Sequence, residues 1–189
     1  MASDSRERMV RSAALLLRER GYAGTGFRDV IAHSEAPWGS IYHHFPGGKA
    51  QLAEEAVGYA GDIVTQLIEA SPPDDPVATL RAFLAVWKQG LETSDFRAGC
   101  PVVAVATEAP DDLPELTDAA AAAFARWEDA LGASLRRAGV PRARARRLAT
   151  IVVAAIEGAV VLSRARRDTR PLDDVGKELE LAIQDALPH

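Results

Sequence analysis

Apolar residues recur every three to four positions along almost the whole chain, which is the spacing of one face of an α-helix. Stretches that alternate β-branched and polar residues, as strands do, are missing. Proline and glycine mark the ends of the apolar segments. The sequence therefore predicts an all-α protein. The predicted helices are three in the first 45 residues, ending at Gly21, near Ser34 and at His44, and then 49–70, 76–93, a short helix after Cys100, 116–138, 141–166 and 171–187.

The first 45 residues have the layout of a helix-turn-helix unit. The second predicted helix has Thr25 as its N-cap, and about three residues link it to a third helix that begins at Pro37. In the third helix, Ile41 and Phe45 lie four residues apart and predict its buried face. Gly39 is unfavourable in so short a helix. It indicates that the backbone approaches another surface closely there, and DNA is such a surface.

Composition places the chain among soluble globular proteins, with 48% apolar and 26% charged residues in 189. The net charge of −5 does not favour nucleic acid, but the first 50 residues carry seven basic and five acidic side chains. A single cysteine and four histidines exclude a disulfide framework and give no metal-site pattern, so we expect neither a metal nor a cofactor. The apolar segment 148–163 contains Thr150 and Glu157 and is shorter than the ~20 residues of a membrane span. We therefore expect a cytoplasmic protein.

Several short motifs in the N-terminal part occur together in one known family. They are 21–27 (GYAGTGF), 30–32 (VIA) and 36–45 (APWGSIYHHF), followed by Lys49 and Leu52. This pattern, over about residues 5 to 58, resembles the DNA-binding region of the tetracycline-repressor (TetR) family.

Two further features resemble one branch of that family, typified by LmrA and YxaF. The segment from Phe45 to Lys49 is one residue longer than the common family spacing, and 99–101 (GCP) and Glu108 follow downstream. The resemblance implies a helix-turn-helix DNA-binding domain over 1–48 and a larger helical ligand-binding and dimerisation domain over 49–189.

The resemblance also implies which residues of the helix-turn-helix domain, which we call the head, contact DNA. It gives phosphate contacts to Thr25, Tyr42 and Lys49, in agreement with the use of hydroxyls and lysine to set register. It places Arg28, Ser40 and His43 near base edges, where arginine can pair with guanine through two hydrogen bonds. The full set of predicted DNA-contacting residues is Thr25, Arg28, Trp38, Gly39, Ser40, Tyr42, His43, His44 and Lys49.

Four aromatic positions in this set have a second interpretation. Trp38 departs from the family pattern, and its ring would either contact thymine methyl groups and sugars or fold into the head beside Ile41. Tyr42 would otherwise lie at the edge of the core. His44 would otherwise form a hydrogen bond within the domain, and His43 would be an ordinary solvated residue.

The second half of the chain predicts a dimer. The segment 148–162 is apolar on all sides except at Glu157, so it must be covered all round, and small residues in it permit close helix approach. A two-fold dimer suits a palindromic operator. The predicted interface residues are Ile151, Ala155, Gly158, Ala159 and Leu162, with Leu179 and Ile183 on the last helix.

Aromatic pairs at helical spacing predict the ligand site. Phe83 and Trp87 are four residues apart, Phe124 and Trp127 are three apart, and the family resemblance implies that these helices face each other around a cavity. Glu157 is the polar candidate, since a buried carboxylate needs a partner. The alternative for each aromatic residue is ordinary core packing.

These features predict a ligand-responsive repressor, released from a palindromic DNA operator by a small lipophilic or aromatic molecule. A helical enzyme using Glu157 or Cys100 is an alternative, but the sequence shows no acid–base or nucleophile–base motif. A sensorless architectural DNA-binding protein is another alternative. The acidic second half fits nonspecific DNA coating poorly.

Overall fold

A computed structural model describes residues 2–188 of the chain, so residues 1 and 189, the outer ends of the two predicted domains, lie outside it. Within residues 2–188 every regular element is a helix, which confirms the all-α prediction. The helices are α1 (Ala2–Arg20), α2 (Phe27–Ser34), α3 (Ser40–His44), α4 (Gly48–Ala70), α5 (Pro76–Thr93), α6 (Pro101–Glu108), α7 (Pro114–Arg137), α8 (Arg142–Arg166) and α9 (Arg170–Gln184).

Two predicted helix starts in the head are wrong. α2 has Gly26, and not the predicted Thr25, as its N-cap, and the Asp29 carboxylate accepts the Gly26 N–H at 3.1 Å. α3 begins at Ser40 and not at Pro37. The Pro37 carbonyl accepts hydrogen bonds from Ser40 N at 3.0 Å and from Ser40 Oγ at 2.6 Å, so residues 37–39 form a turn ahead of the helix.

The chain divides into two compact units. The first comprises the residues up to Asp62 together with Cys100–Ala123, and the second comprises Ile63–Gly99 together with the residues from Phe124 on. Two of the three division points fall inside helices, one in α4 and one in α7, and the third lies between α5 and α6. The boundary predicted at residue 48 therefore does not coincide with the division between compact units.

In the first unit, α1 packs against α2, α3 and α6. Met9 and Leu17 of α1 are buried with Ile41 and Phe45, as the four-residue spacing of the last two predicts. Burial of each such side chain is worth about 1.5–3 kcal/mol, so this apolar cluster fixes the orientation of the short α3. The opposite face of α3 is left exposed.

In the second unit, α5, α8 and α9 pack against one another. Gly176 lets α9 approach α5, since a Cβ atom there would lie 2.7 Å from Cδ1 of Leu84. α8 is long and apolar enough to cross a membrane by length and composition alone, but half of its most apolar window is buried within the protein.

Candidate nucleic-acid interface and ligand core

The exposed face of the helix-turn-helix carries three of the predicted DNA-contacting aromatic side chains. Trp38 is 56% exposed, Tyr42 is 62% exposed, and His43 is also exposed. The alternative in which Trp38 folds into the head is therefore wrong, because the turn at 37–39 places Trp38 ahead of the helical spacing that leads to Ile41. Tyr42 contacts Phe27 of α2 edge to face, with ring centroids 5.5 Å apart, and this contact orients its ring.

Arg28 and His44 differ in how far they are available. Arg28 is exposed on α2, and no hydrogen bond or ion pair to it occurs within residues 2–188. His44 is half-buried between the rings of His43 and Phe45, at centroid distances of 5.4 and 6.4 Å. Within the described part of the chain, no hydrogen bond to the His44 imidazole is found. The Arg28 guanidinium is thus open to a base edge, whereas His44 packs beside two neighbouring rings.

The backbone at Gly39 has no structural need for glycine. Its φ is −86°, which any residue adopts, and a Cβ atom there would meet no heavy atom within 4 Å. Only a partner outside the described chain, approaching the backbone closely, would need the absence of a side chain at Gly39. This agrees with the predicted close approach to DNA, which stays a prediction.

The hydroxyls of Thr25 and Ser40 are both used inside the head. Thr25 is buried, and its Oγ1 donates to the Gly21 carbonyl at 2.8 Å. Ser40 Oγ donates to the Pro37 carbonyl at 2.6 Å. A phosphate oxygen accepts hydrogen bonds, so a hydroxyl whose proton is committed elsewhere is a poor phosphate ligand. The geometry therefore moves Thr25 from the phosphate contacts to the turn between α1 and α2, while Ser40 keeps acceptor capacity for a base donor.

Lys49 lies against the same turn. Its Nζ is 3.4 Å from the Ala23 carbonyl and 4.2 Å from the centroid of the Tyr22 ring. Burial lowers the pKa of Lys49, and the negative charge of Glu108 acts in the opposite direction. Sequence analysis gave Glu108 no role in the head, and no spacing pattern links residues so far apart in the chain. In the structure its carboxylate accepts the Ala23 N–H at 3.2 Å.

The four predicted ligand-site aromatics form one cluster in the second unit. Trp127 contacts Phe83, Trp87 and Phe124, with centroid distances of 6.0, 6.3 and 5.5 Å, and Phe83 and Trp87 are 6.2 Å apart. The rings meet edge to face or tilted, which is the favourable geometry of an aromatic core. The direct ring contacts between α5 and α7 are those of the core-packing alternative, and a ligand cavity between the two helices stays a prediction.

Two polar groups belong to the interior of this unit. Glu157 is 7% exposed, on the inward side of α8. Trp87 is 6% exposed, and its indole Nε1 is buried with no hydrogen-bond partner among the described residues. Buried donors are rarely left unpaired in folded proteins. Trp87 Nε1 is therefore a donor that can form a hydrogen bond with an acceptor from outside the chain.

Two family models cover most of the chain. Residues 10–56 match the family described as bacterial regulatory proteins, tetR family, and residues 76–178 match the C-terminal domain of LmrA/YxaF-like transcriptional regulators. The HTH-type transcriptional regulator Rv0196 of Mycobacterium tuberculosis is 44% identical over 188 residues, which are 97% of this chain and 96% of that protein. The chain belongs to the TetR family of transcriptional regulators.

Further relatives place this TetR regulator in the LmrA/YxaF-like branch, which confirms the resemblance. LmrA of Bacillus subtilis is 36% identical over 171 residues, covering 89% of this chain and 91% of that protein. A TetR transcriptional regulator from Chloroflexus aurantiacus superposes with a TM-score of 0.77 at 30% identity, covering 98% of this chain and 97% of that chain. These relatives and both family models are regulators, and the alternative of an enzyme using Glu157 or Cys100 is wrong.

The predicted dimer residues of the TetR regulator fall into two groups. Ala159, Leu179 and Ile183 are buried in the core of the second unit, so we remove them from the predicted interface. They face inward because α5, α8 and α9 pack together within a single chain. Ile151, Gly158 and Leu162 are exposed, and Ala155 is half-exposed beside them. Ala154, Val161 and Leu181 extend this exposed surface. We call the surface formed by these three residues and the previous four the α8 face.

Proposed function

We propose that this TetR regulator is a homodimeric, cytoplasmic repressor that binds a palindromic operator and is released by a small lipophilic or aromatic molecule. The observation that carries the proposal is the exposed surface formed by Arg28, Trp38, Tyr42 and His43. Their exposure leaves these side chains available to a partner. Tyr42 and His43 lie on α3, the helix that a helix-turn-helix protein places in the major groove, whereas Arg28 lies on α2 and Trp38 in the turn before α3.

Base and phosphate contacts divide among these residues by chemistry. Arg28 suits a guanine edge, and His43 is exposed on α3 and offers ring nitrogens to a base. Tyr42 offers a phenolic hydroxyl, and Lys49 an ammonium, both suited to phosphate. Trp38 offers an apolar ring for a thymine methyl group or a sugar. Specificity would then come from Arg28 and His43, and register from Tyr42 and Lys49.

Selection of bound duplexes from random-sequence DNA, followed by footprinting on the selected sequence, tests the proposed operator. Two related half-sites about 34–36 Å apart, or a multiple of that spacing, are expected for a dimer. Coverage of any duplex without sequence preference would instead support an architectural DNA-binding protein. A reporter gene behind the selected operator then distinguishes repression from activation.

Replacing Gly39 by alanine is expected to weaken operator binding without lowering the melting temperature. The structure has open space at the Cβ position, so any loss must come from the DNA side. Gly58→Ala is the matched control, because a Cβ atom at Gly58 on α4 also meets nothing within 4 Å. Gel-shift titration of both variants on the selected operator is the measurement. Equal binding by Gly39→Ala and the wild type would contradict a close backbone approach.

The aromatic cluster is the proposed ligand site. A compound with an apolar or aromatic body would replace ring contacts, and an acceptor oxygen or nitrogen on it would pair with Trp87 Nε1. An unpaired buried donor is destabilising by about 1–3 kcal/mol, so a ligand that satisfies it gains affinity and selectivity. Glu157 is a further proposed ligand-site residue of the same unit. α4 continues from the first compact unit into the second and is the proposed route to the head.

We expect Trp87→Phe to weaken binding of acceptor-bearing aromatic compounds about fivefold more than binding of aromatic hydrocarbons, because the loss of ring volume affects both classes and the loss of the N–H affects only the first. Tryptophan fluorescence titration in a Trp38→Phe background is the measurement, since Trp38 lies in the head. A ligand that releases DNA must also bind more weakly when operator is present. Equal ligand affinity with and without operator would contradict the proposed release.

A further inference from the structure

The turn between α1 and α2 is held by a carboxylate from a distant helix. Glu108, the last residue of α6, accepts the backbone N–H of Ala23 at 3.2 Å. α6 also packs along α1, and all of these residues belong to the first compact unit. The α6 end is therefore part of the head's own structure.

Gly21 makes room for this carboxylate. Its φ is +75°, a conformation that side chains rarely adopt, and a Cβ atom there would lie 2.3 and 2.4 Å from the two Glu108 oxygens. No real Cβ contact is that short. The backbone conformation therefore favours glycine, and any side chain at this position would push the Glu108 carboxylate away from the turn.

Lys49 contacts the other backbone polar group of the same residue. Glu108 takes the N–H of Ala23, and the Lys49 ammonium lies 3.4 Å from the Ala23 carbonyl oxygen. The buried Tyr22 ring beneath the ammonium completes the arrangement, at 4.2 Å from Nζ. Ala23 is thus clamped between an acid and a base that come from different helices.

We infer that Glu108 is a positioning residue for operator binding, which holds the α1–α2 turn so that Lys49 is placed to meet a DNA phosphate. The inference rests on the proposed phosphate role of Lys49. A negative charge beside a phosphate-binding lysine opposes DNA binding by Coulomb repulsion, so the contribution of Glu108 must be geometric. Its acceptor oxygen, and not its charge, is the functional feature.

Three variants separate geometry from charge on the selected operator. Glu108→Ala removes both the acceptor and the charge and is expected to weaken binding about fivefold, as for one lost hydrogen bond. Glu108→Gln keeps an acceptor oxygen without the charge and is expected to bind within about twofold of the wild type. Glu115→Ala is the matched charge control, since Glu115 is exposed in the same unit and makes no hydrogen bond to the turn, and it is expected not to weaken binding.

A double-mutant cycle with Lys49→Ala provides the readout that a merely structural role would not give. In the Lys49→Ala background, Glu108→Ala is expected to cost less than about twofold, because the positioned group is gone. Additive losses, or a Glu108→Gln variant as weak as Glu108→Ala, would overturn the inference. Thermal unfolding checks each variant, and Glu108→Met replaces Glu108→Ala if the latter does not fold.

The same cycle distinguishes failure of the inference from failure of the proposed contact. Lys49→Ala should reduce the slope of log affinity against log salt by about 1, since one fewer counterion is released. An unchanged slope and affinity would remove Lys49 from the phosphate contacts. A reduced slope for Lys49→Ala with normal binding by Glu108→Ala would overturn the Glu108 inference alone.

Discussion

Replacing Gly158 by arginine is expected to make the protein monomeric and to weaken operator binding about a hundredfold or more, because the second half-site contact is no longer intramolecular. Gly158 lies at the centre of the α8 face, flanked by Ala155 and Leu162, and a Cβ atom there meets nothing within 4 Å in its own chain. The substitution therefore leaves the protomer's packing intact. It also removes a glycine from a helix interior, which favours the helix by about 1 kcal/mol.

Sedimentation velocity and gel-shift titration measure the two consequences separately. Gly58→Arg on α4 is the matched control, with the same chemical change at a second helical glycine that has open space around it. It is expected to stay dimeric. A Gly158→Arg protein that is still dimeric and binds operator normally would show that the α8 face is not the interface.

Arg28→Ala is expected to weaken binding to the selected operator by about 1 to 3 kcal/mol, the worth of a good bidentate base contact. On a scrambled duplex of equal length the loss should be much smaller. The melting temperature should not change, because Arg28 is exposed and makes no hydrogen bond or ion pair within residues 2–188. His43→Ala is expected to show the same dependence on sequence if it too contacts a base edge.

Lys49→Ala is the control that separates base from phosphate contacts. The substitution should weaken binding to the selected and the scrambled duplex by the same factor, since a phosphate contact carries no sequence information. Fluorescence anisotropy on both duplexes measures the six affinities of the wild type and the two variants. Equal loss on both duplexes for Arg28→Ala would assign Arg28 to a phosphate instead.

Local patterns in the sequence were sufficient wherever one helix or one short motif decides the outcome. The four-residue spacing of Ile41 and Phe45 predicted the buried face of α3, and Pro76 and Cys100-Pro101 predicted where α5 and α6 begin. The motifs of residues 21–52 identified the family, because a helix-turn-helix depends on residues close together in the chain.

Contacts between distant segments were decided only by the tertiary structure. Periodicity shows that Leu179 and Ile183 share an apolar face of one helix. It does not show whether that face is covered by the same chain or by a partner. In the structure, α5 and α8 of the same chain pack against α9, and both residues are buried.

The head shows the same division between local and tertiary information. From the sequence, the Thr25 hydroxyl could cap a helix, bind a phosphate or stabilise a turn. In the structure Gly21 has a positive φ, and its carbonyl oxygen lies 2.8 Å from Thr25 Oγ1, so the hydroxyl stabilises the turn. The Glu108 carboxylate reaches Ala23 across 85 residues of sequence. Helical spacing specifies neighbours within one helix, whereas such contacts depend on how several helices pack together, and the tertiary structure alone specifies that packing.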